Sequence, residues 1–106
     1  MLVVTTENVA GRPAVETLGL VRGATVRAKH FGTDFVAGLK MIVGGELRGY
    51  SSLLAGAREQ ALDRMIAEAE ALGANAIVGM RMQTSAIAKG SSEIVAYGTA
   101  VRLGDG

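Results

Sequence analysis

The sequence has few of the thiolate and imidazole side chains that heavy-metal ions favour. The 106 residues include no cysteine and a single histidine, His30. Asp34 follows four residues later, across a predicted loop–helix boundary. Without thiolates, a soft heavy-metal site would need imidazole, thioether or carboxylate ligands. We therefore predict His30 and Asp34 as a candidate site for a divalent or heavy-metal ion. The alternative is a loop histidine beside an aspartate that caps a helix.

Two methionines form a second candidate metal site. Met80 and Met82 lie two residues apart in a segment that alternates like a β-strand, so their thioethers would share one face. Thioethers suit Cu(I). Methionine is also a common filler of irregular gaps in cores, and core packing is the competing interpretation.

The sequence offers little for catalysis. One histidine would have to serve any catalytic triad, and the serines at positions 85, 91 and 92 have no histidine nearby in the sequence. No pair of carboxylates stands out for general acid–base chemistry. We therefore expect a protein that is not an enzyme.

Other candidates for ligand or interface contacts lie near the C-terminus: Arg81, Glu93, Tyr97 and Gly98. Tyr97 beside Gly98 could line a pocket, although a tyrosine packed between layers is the alternative. Glu93 could pair with Arg81 or Lys89 across a hairpin, which at a surface contributes only about 0–1 kcal/mol.

The glycine-rich stretch MIVGGELRGY, residues 41–50, raises the question of a phosphate-binding loop. Such a loop places its glycines between a strand and a helix, followed by Lys-Ser or Lys-Thr. Here the glycines follow a predicted helix, and Gly-Lys-Ser/Thr does not occur. The stretch therefore predicts a hinge between two helices.

Composition excludes several classes of protein. The net charge is +1 and aromatic residues make up 4% of the chain, so neither phosphate neutralisation nor base stacking is favoured. The N-terminus lacks a basic region followed by a long apolar run, and no apolar stretch approaches the ~20 residues of a membrane helix. We expect no nucleic-acid partner, no membrane insertion and, given the absence of cysteine, a cytoplasmic location.

Length and periodicity predict one domain, residues 1–106, with an α+β fold. The predicted elements are a strand at 2–5, a turn at 8–13, a strand at 14–27 bent or bulged at Gly19 and Gly23, a short helix from Thr33 or Asp34 to about Val43, a long helix at about 50–72 ended by Gly73, a strand at 75–87, a turn at 89–92 and a strand at 93–103.

Periodicity also predicts which residues share a face. The stripe expected on the long helix is Leu54, Arg58, Ala61, Met65, Ala69 and Leu72. In the predicted strand at 75–87, the side chains expected to point one way are Ala76, Val78, Met80, Met82 and Thr84. The last strand has one face of small residues apart from its isoleucine: Ile94, Ala96, Gly98 and Ala100.

These elements predict a β-α-β-β unit in which one long amphipathic helix packs on a small mixed sheet. The helical crossover implies that the strands before and after it run parallel. A short sheet with one dominant helix leaves a face or an edge uncovered, and neighbouring copies of the chain could cover it.

Three segments, GATVRAKHFGTDFVAGLKMIVGGELRGY, ALGANAIVGMRMQTSAI and EIVAYGTAVRL, resemble those of the YbjQ-like family. This family comprises small bacterial and archaeal proteins of unknown function that carry the label "putative heavy-metal-binding domain". The resemblance covers nearly the whole chain. It implies the β-α-β-β fold and assembly into a pentameric ring.

Taken together, the sequence predicts a non-enzymatic, homo-oligomeric cytoplasmic protein that binds a small ligand or partner at subunit interfaces. The alternative is heavy-metal binding or sensing through His30, with Asp34 or with Met80 and Met82.

Overall fold

The computed structural model describes residues 1–28, 45–88 and 91–105. They form β1 (Leu2–Val3), β2 (Ala14–Ala28), α1 (Gly45–Ala71), β3 (Ala76–Ala88) and β4 (Ser91–Leu103). The predicted short helix ending near Val43 lies outside the described residues, as do His30, Asp34 and the Lys89-Gly90 pair. Ser91 and Ser92, predicted in a turn, instead begin β4 and pair with both β2 and β3.

The sheet is mixed and has the strand order β1-β3-β4-β2. β1 pairs parallel with β3, whereas β4 pairs antiparallel with both β2 and β3. β2 and β3 therefore run in the same direction, as the helical crossover predicted, but β4 lies between them. The predicted α+β architecture, with one long helix on a small mixed sheet, is confirmed.

The long helix begins about five residues earlier than periodicity predicted. It includes Gly45 and Gly49, because a glycine in a helix costs only about 1 kcal/mol and does not by itself end one. Its C-terminus is the predicted one. Gly73 has φ +82°, its amide donates to the Glu70 carbonyl, and the Ala74 amide donates to the Ala69 carbonyl. This is a Schellman motif, which requires a residue with positive φ.

The buried stripe of α1 differs from the predicted one at two positions. Ala57 is buried and Arg58 is exposed, and Leu72 is 46% exposed near the helix C-terminus. The fully buried residues of the stripe are Ala57, Ala61, Met65 and Ala69, with Leu54, Leu62 and Ile66 partly buried beside them. A stripe made mainly of alanine allows the helix axis to approach the sheet closely.

That close approach occurs at Gly23 of β2. A Cβ placed on Gly23 would lie 2.1 Å from the Ala61 carbonyl oxygen and 2.5 Å from the Met65 amide nitrogen. Two hydrogen bonds hold the helix there: the Thr25 hydroxyl donates to the Ala57 carbonyl (3.0 Å), and the Arg64 guanidinium donates to the Ala24 carbonyl (2.6 Å). Of the two glycines predicted to bend or bulge β2, only Gly19 lies at a register shift.

A bulge in β3 changes which residues face the helix. Gly79 has φ +62°, and the ladder shifts between Val78 and Arg81. Before the bulge Ile77 packs in the core beneath α1; after it Met80 and Met82 do. The prediction that Val78 shares a face with the methionines is therefore wrong, because one additional residue inverts the alternation.

Candidate functional site

The face of the sheet away from α1, here called the outer face, carries three of the four predicted contact residues that the structure describes, Arg81, Glu93 and Tyr97. On β2 it displays Leu20, Arg22, Ala24 and Val26, which alternate with the buried residues Val21, Gly23 and Thr25. Leu20 is 64% exposed and Val26 is 53% exposed. The outer face thus presents apolar side chains to solvent.

Tyr97 lies at the centre of this face, on β4. The register places Arg22 of β2 on one side of Tyr97 and Arg81 of β3 on the other. The structure therefore brings two of the predicted contact residues, Arg81 and Tyr97, together. Gly98 points to the opposite face, where an added Cβ would lie 2.7 Å from Ile77 Cγ2 and 3.1 Å from the Val78 carbonyl oxygen.

Glu93 is not a neighbour of Arg81. The register partners of Glu93 are Ser85 on β3 and Val26 on β2. Arg81 is the partner of Tyr97, which lies four residues from Glu93 along β4, so Glu93 and Arg81 are roughly 13 Å apart. The Arg81 guanidinium instead donates to the carbonyls of Thr5 (2.9 Å) and Met80 (2.8 Å).

The candidate metal ligands are divided between described and undescribed parts of the chain. His30 and Asp34 lie outside the described residues. Met80 and Met82 are partly buried and pack against the core beneath α1. Within residues 1–28, 45–88 and 91–105, no group of three or more His, Cys, Asp or Glu side chains is placed to hold a metal ion.

Residues 4–13, which follow β1 and are here called the roof segment, are fixed over one end of the outer face. The amides of Gly79 and Met80 donate to the carbonyls of Thr6 (2.8 Å) and Val4 (3.0 Å). At the far end of the segment the Gly104 amide donates to the Pro13 carbonyl (2.8 Å). The segment carries Val4 and Val9 onto a second small core on the outer face, formed by Ala76, Val78, Val101 and Leu103.

A cavity of about 460 Å³ lies beside this second core. Glu7 and Asn8 of the roof segment form one wall. The remaining lining comes from three strands: Ala14 and Thr17 of β2, Val78 and Gly79 of β3, and Thr99 and Val101 of β4. This volume is within the range of small-molecule sites, and its mixture of apolar and polar side chains is typical of them.

Sequence reasoning did not identify any residue that lines this cavity. Glu7 lies between the predicted first strand and the predicted turn, Asn8 begins that turn, and the pattern around Thr17 and Thr99 predicts ordinary strands. The one available signal was Gly79, because a glycine inside a strand often marks a bulge or a close approach. The cavity depends on the hydrogen bonds from the bulge, at Gly79 and Met80, to the roof segment.

In the part of the chain that the structure describes, no helix combines the length and the hydropathy that a membrane crossing requires.

Comparison with known proteins identifies relatives over almost the entire chain. A family model named YbjQ_1 and described as "Putative heavy-metal-binding" matches residues 1–104. A UPF0145 protein of Halorubrum lacusprofundi is 59% identical over 98 residues, which is 92% of this chain and 94% of the relative. One from Photobacterium profundum is 57% identical over 103 residues, 97% and 100% of the two chains.

The fold also matches a solved structure. A crystal structure of a protein of unknown function from Pediococcus pentosaceus, of the DUF74 family, covers 98% of both chains with a TM-score of 0.65. At 15% identity, this similarity shows the fold alone. The solved structure confirms the predicted α+β fold, and the family model with the bacterial and archaeal relatives confirms the predicted family: this chain belongs to the YbjQ-like family of UPF0145 proteins.

Proposed function

We propose that this protein is a non-enzymatic homo-oligomer that binds a small ligand where the outer faces of its copies meet. The observation that carries the proposal is the exposure of Leu20 and Val26 on the sheet face that also holds Tyr97 and, at one end, the 460 Å³ cavity. Large exposed apolar side chains beside a tyrosine and arginines are typical of the surfaces at which protein subunits meet. The absence of cysteine favours the cytoplasm as its location.

The position of β2 in the sheet supports assembly. β2 is an edge strand of 15 residues, and its outer side does not pair with another named strand among the described residues. A long edge strand is a template for pairing with another chain unless it is covered. A ring that closes through head-to-tail contacts would cover both the edge and the apolar side chains, and the family resemblance implies five copies.

Leu20→Asp is expected to dissociate the assembly, because a carboxylate would replace an apolar side chain at the proposed interface and carry a large desolvation cost. Multi-angle light scattering at micromolar concentration should give about five times the 10.9 kDa chain mass for the wild type and a lower mass for the variant. Leu72→Asp is the matched control, since Leu72 is an exposed leucine just after the C-terminus of α1, and it should leave the mass unchanged. A strictly monomeric wild type would contradict the proposal.

Metal binding is the second candidate function, and the description of the matching family model favours it. Titration calorimetry with Zn(II), Ni(II) and Cu(I) is the test. We expect His30→Ala to abolish Zn(II) or Ni(II) binding, because it removes the only imidazole. Met82→Leu, which conserves volume, should weaken Cu(I) binding only if the thioethers are ligands. Binding that His30→Ala leaves unchanged would exclude His30 as a ligand.

A further inference from the structure

The cavity on the outer face is bounded by a segment that backbone hydrogen bonds hold in place. Its roof segment is fixed at both ends, at the β3 bulge and at Gly104, by backbone hydrogen bonds of 2.8–3.0 Å. Within the segment, the Thr6 hydroxyl donates to the Asn8 carbonyl (2.6 Å), which orders the turn bearing Glu7 and Asn8. A site whose walls are already held pays little ordering entropy when a ligand binds.

The chemistry of the lining selects among ligand classes. The Glu7 carboxylate is the one formal charge among the eight lining residues, and no lysine or arginine is among them. The Thr17 and Thr99 hydroxyls and the Asn8 side chain supply neutral hydrogen-bonding groups, while Ala14, Val78 and Val101 supply an apolar surface.

Two arginines within or beside the roof segment have their guanidiniums bonded to backbone carbonyls. Arg81 donates to the Thr5 and Met80 carbonyls, and Arg12 donates through Nε to the Gly104 carbonyl (3.2 Å). Both guanidiniums thus serve to hold the roof segment in place. An anionic ligand would meet the Glu7 carboxylate without a lining cation to offset it.

We propose that this cavity binds a small organic cation, a primary ammonium on a compact apolar body, with Glu7 as its charge partner. This inference rests on the proposed function and names the ligand class for the same face. The ammonium would contact the Glu7 carboxylate and donate to Asn8 or to a threonine hydroxyl. The apolar body would lie on Val78 and Val101.

Benzylamine is a suitable probe, with benzyl alcohol and benzoate as its neutral and anionic counterparts. We expect benzylamine to shift the ¹H–¹⁵N resonances of Gly79 and Thr99 saturably, because both residues line the cavity. Benzyl alcohol should bind more weakly, and benzoate should not bind. Equal binding of the three probes, or preference for benzoate, would overturn the proposal.

Glu7→Gln tests the charge partner. It should weaken benzylamine binding about three- to fivefold, the range of an exposed ion pair, and leave benzyl alcohol binding unchanged. Glu16→Gln is the matched control. Glu16 pairs with Arg102 at 2.5 Å, and Arg102 alternates with Val101 and Leu103, so this pair lies on the opposite face of the sheet. A Glu7→Gln affinity equal to that of the wild type would also overturn the proposal.

Light scattering on the same samples separates this inference from the proposed function. An oligomer that does not bind benzylamine would refute the ligand class while supporting assembly. A monomer that binds benzylamine with the expected Glu7 dependence would refute assembly while supporting the site.

Discussion

Gly23→Ala is expected to destabilise the protein by about 3 kcal/mol or more, because its methyl group would occupy the position of helix backbone atoms. The added Cβ would lie 2.1 Å from the Ala61 carbonyl oxygen and 2.5 Å from the Met65 amide nitrogen. Neither atom can rotate away, so α1 would have to move outward. That movement would stretch the hydrogen bond from Thr25 to the Ala57 carbonyl.

Thermal unfolding followed by circular dichroism measures this effect, at matched protein concentrations because the proposed assembly would contribute to apparent stability. We expect the Tm to fall by more than about 10 °C. Gly56→Ala provides the control, since a Cβ on Gly56 meets nothing within 4 Å and the residue is inside the helix. It should stabilise the protein by about 0.5–1 kcal/mol. A Gly23→Ala protein as stable as Gly56→Ala would show that the helix does not approach β2 this closely.

Met65→Ala is expected to cost about 2–5 kcal/mol of unfolding free energy. Met65 is fully buried and is the largest such side chain in the core between α1 and the sheet. Alanine is at least as good a helix former as methionine, so the loss reports the cavity rather than helix propensity. Urea denaturation followed by circular dichroism gives the change in free energy.

Two variants test whether packing is the cause of that loss. Met65→Leu conserves the volume and should cost less than about 1.5 kcal/mol. Leu72→Ala removes a partly exposed side chain just after the C-terminus of α1 and should cost well below the Met65→Ala value. Equal losses for Met65→Ala and Leu72→Ala would mean that Met65 does not anchor the core.

The sequence predicted the elements well wherever the signal was local. Gly73 ends α1 because a glycine can adopt the positive φ that a Schellman motif needs, and this can be inferred from one residue. Ile94, Ala96 and Ala100 face the helix because strand alternation is strict along β4. The start of α1 was predicted less well, because the cost of its glycines is small against the packing of a long helix.

The candidate site was predicted only in part. Arg81 and Tyr97 were identified and do lie side by side on the outer face. Glu93 lies four residues farther along β4, and Gly98 lies on the opposite face. The lining of the cavity comes from four separated segments of the chain. Their meeting depends on strand order and on the bulge, which neither composition nor periodicity encodes.

The residues alone were enough to predict the family, the α+β class and one long helix that ends at Gly73, and they include no cysteine. Three features became visible only in the folded chain: Ala57 rather than Arg58 is buried, Val78 and Met80 point to opposite faces, and a cavity lies beside Glu7. The physical reason is the range of the interactions involved. Helix caps and strand alternation depend on residues adjacent in the chain, whereas the bulge at Gly79 and the close contact at Gly23 depend on segments that meet only after folding.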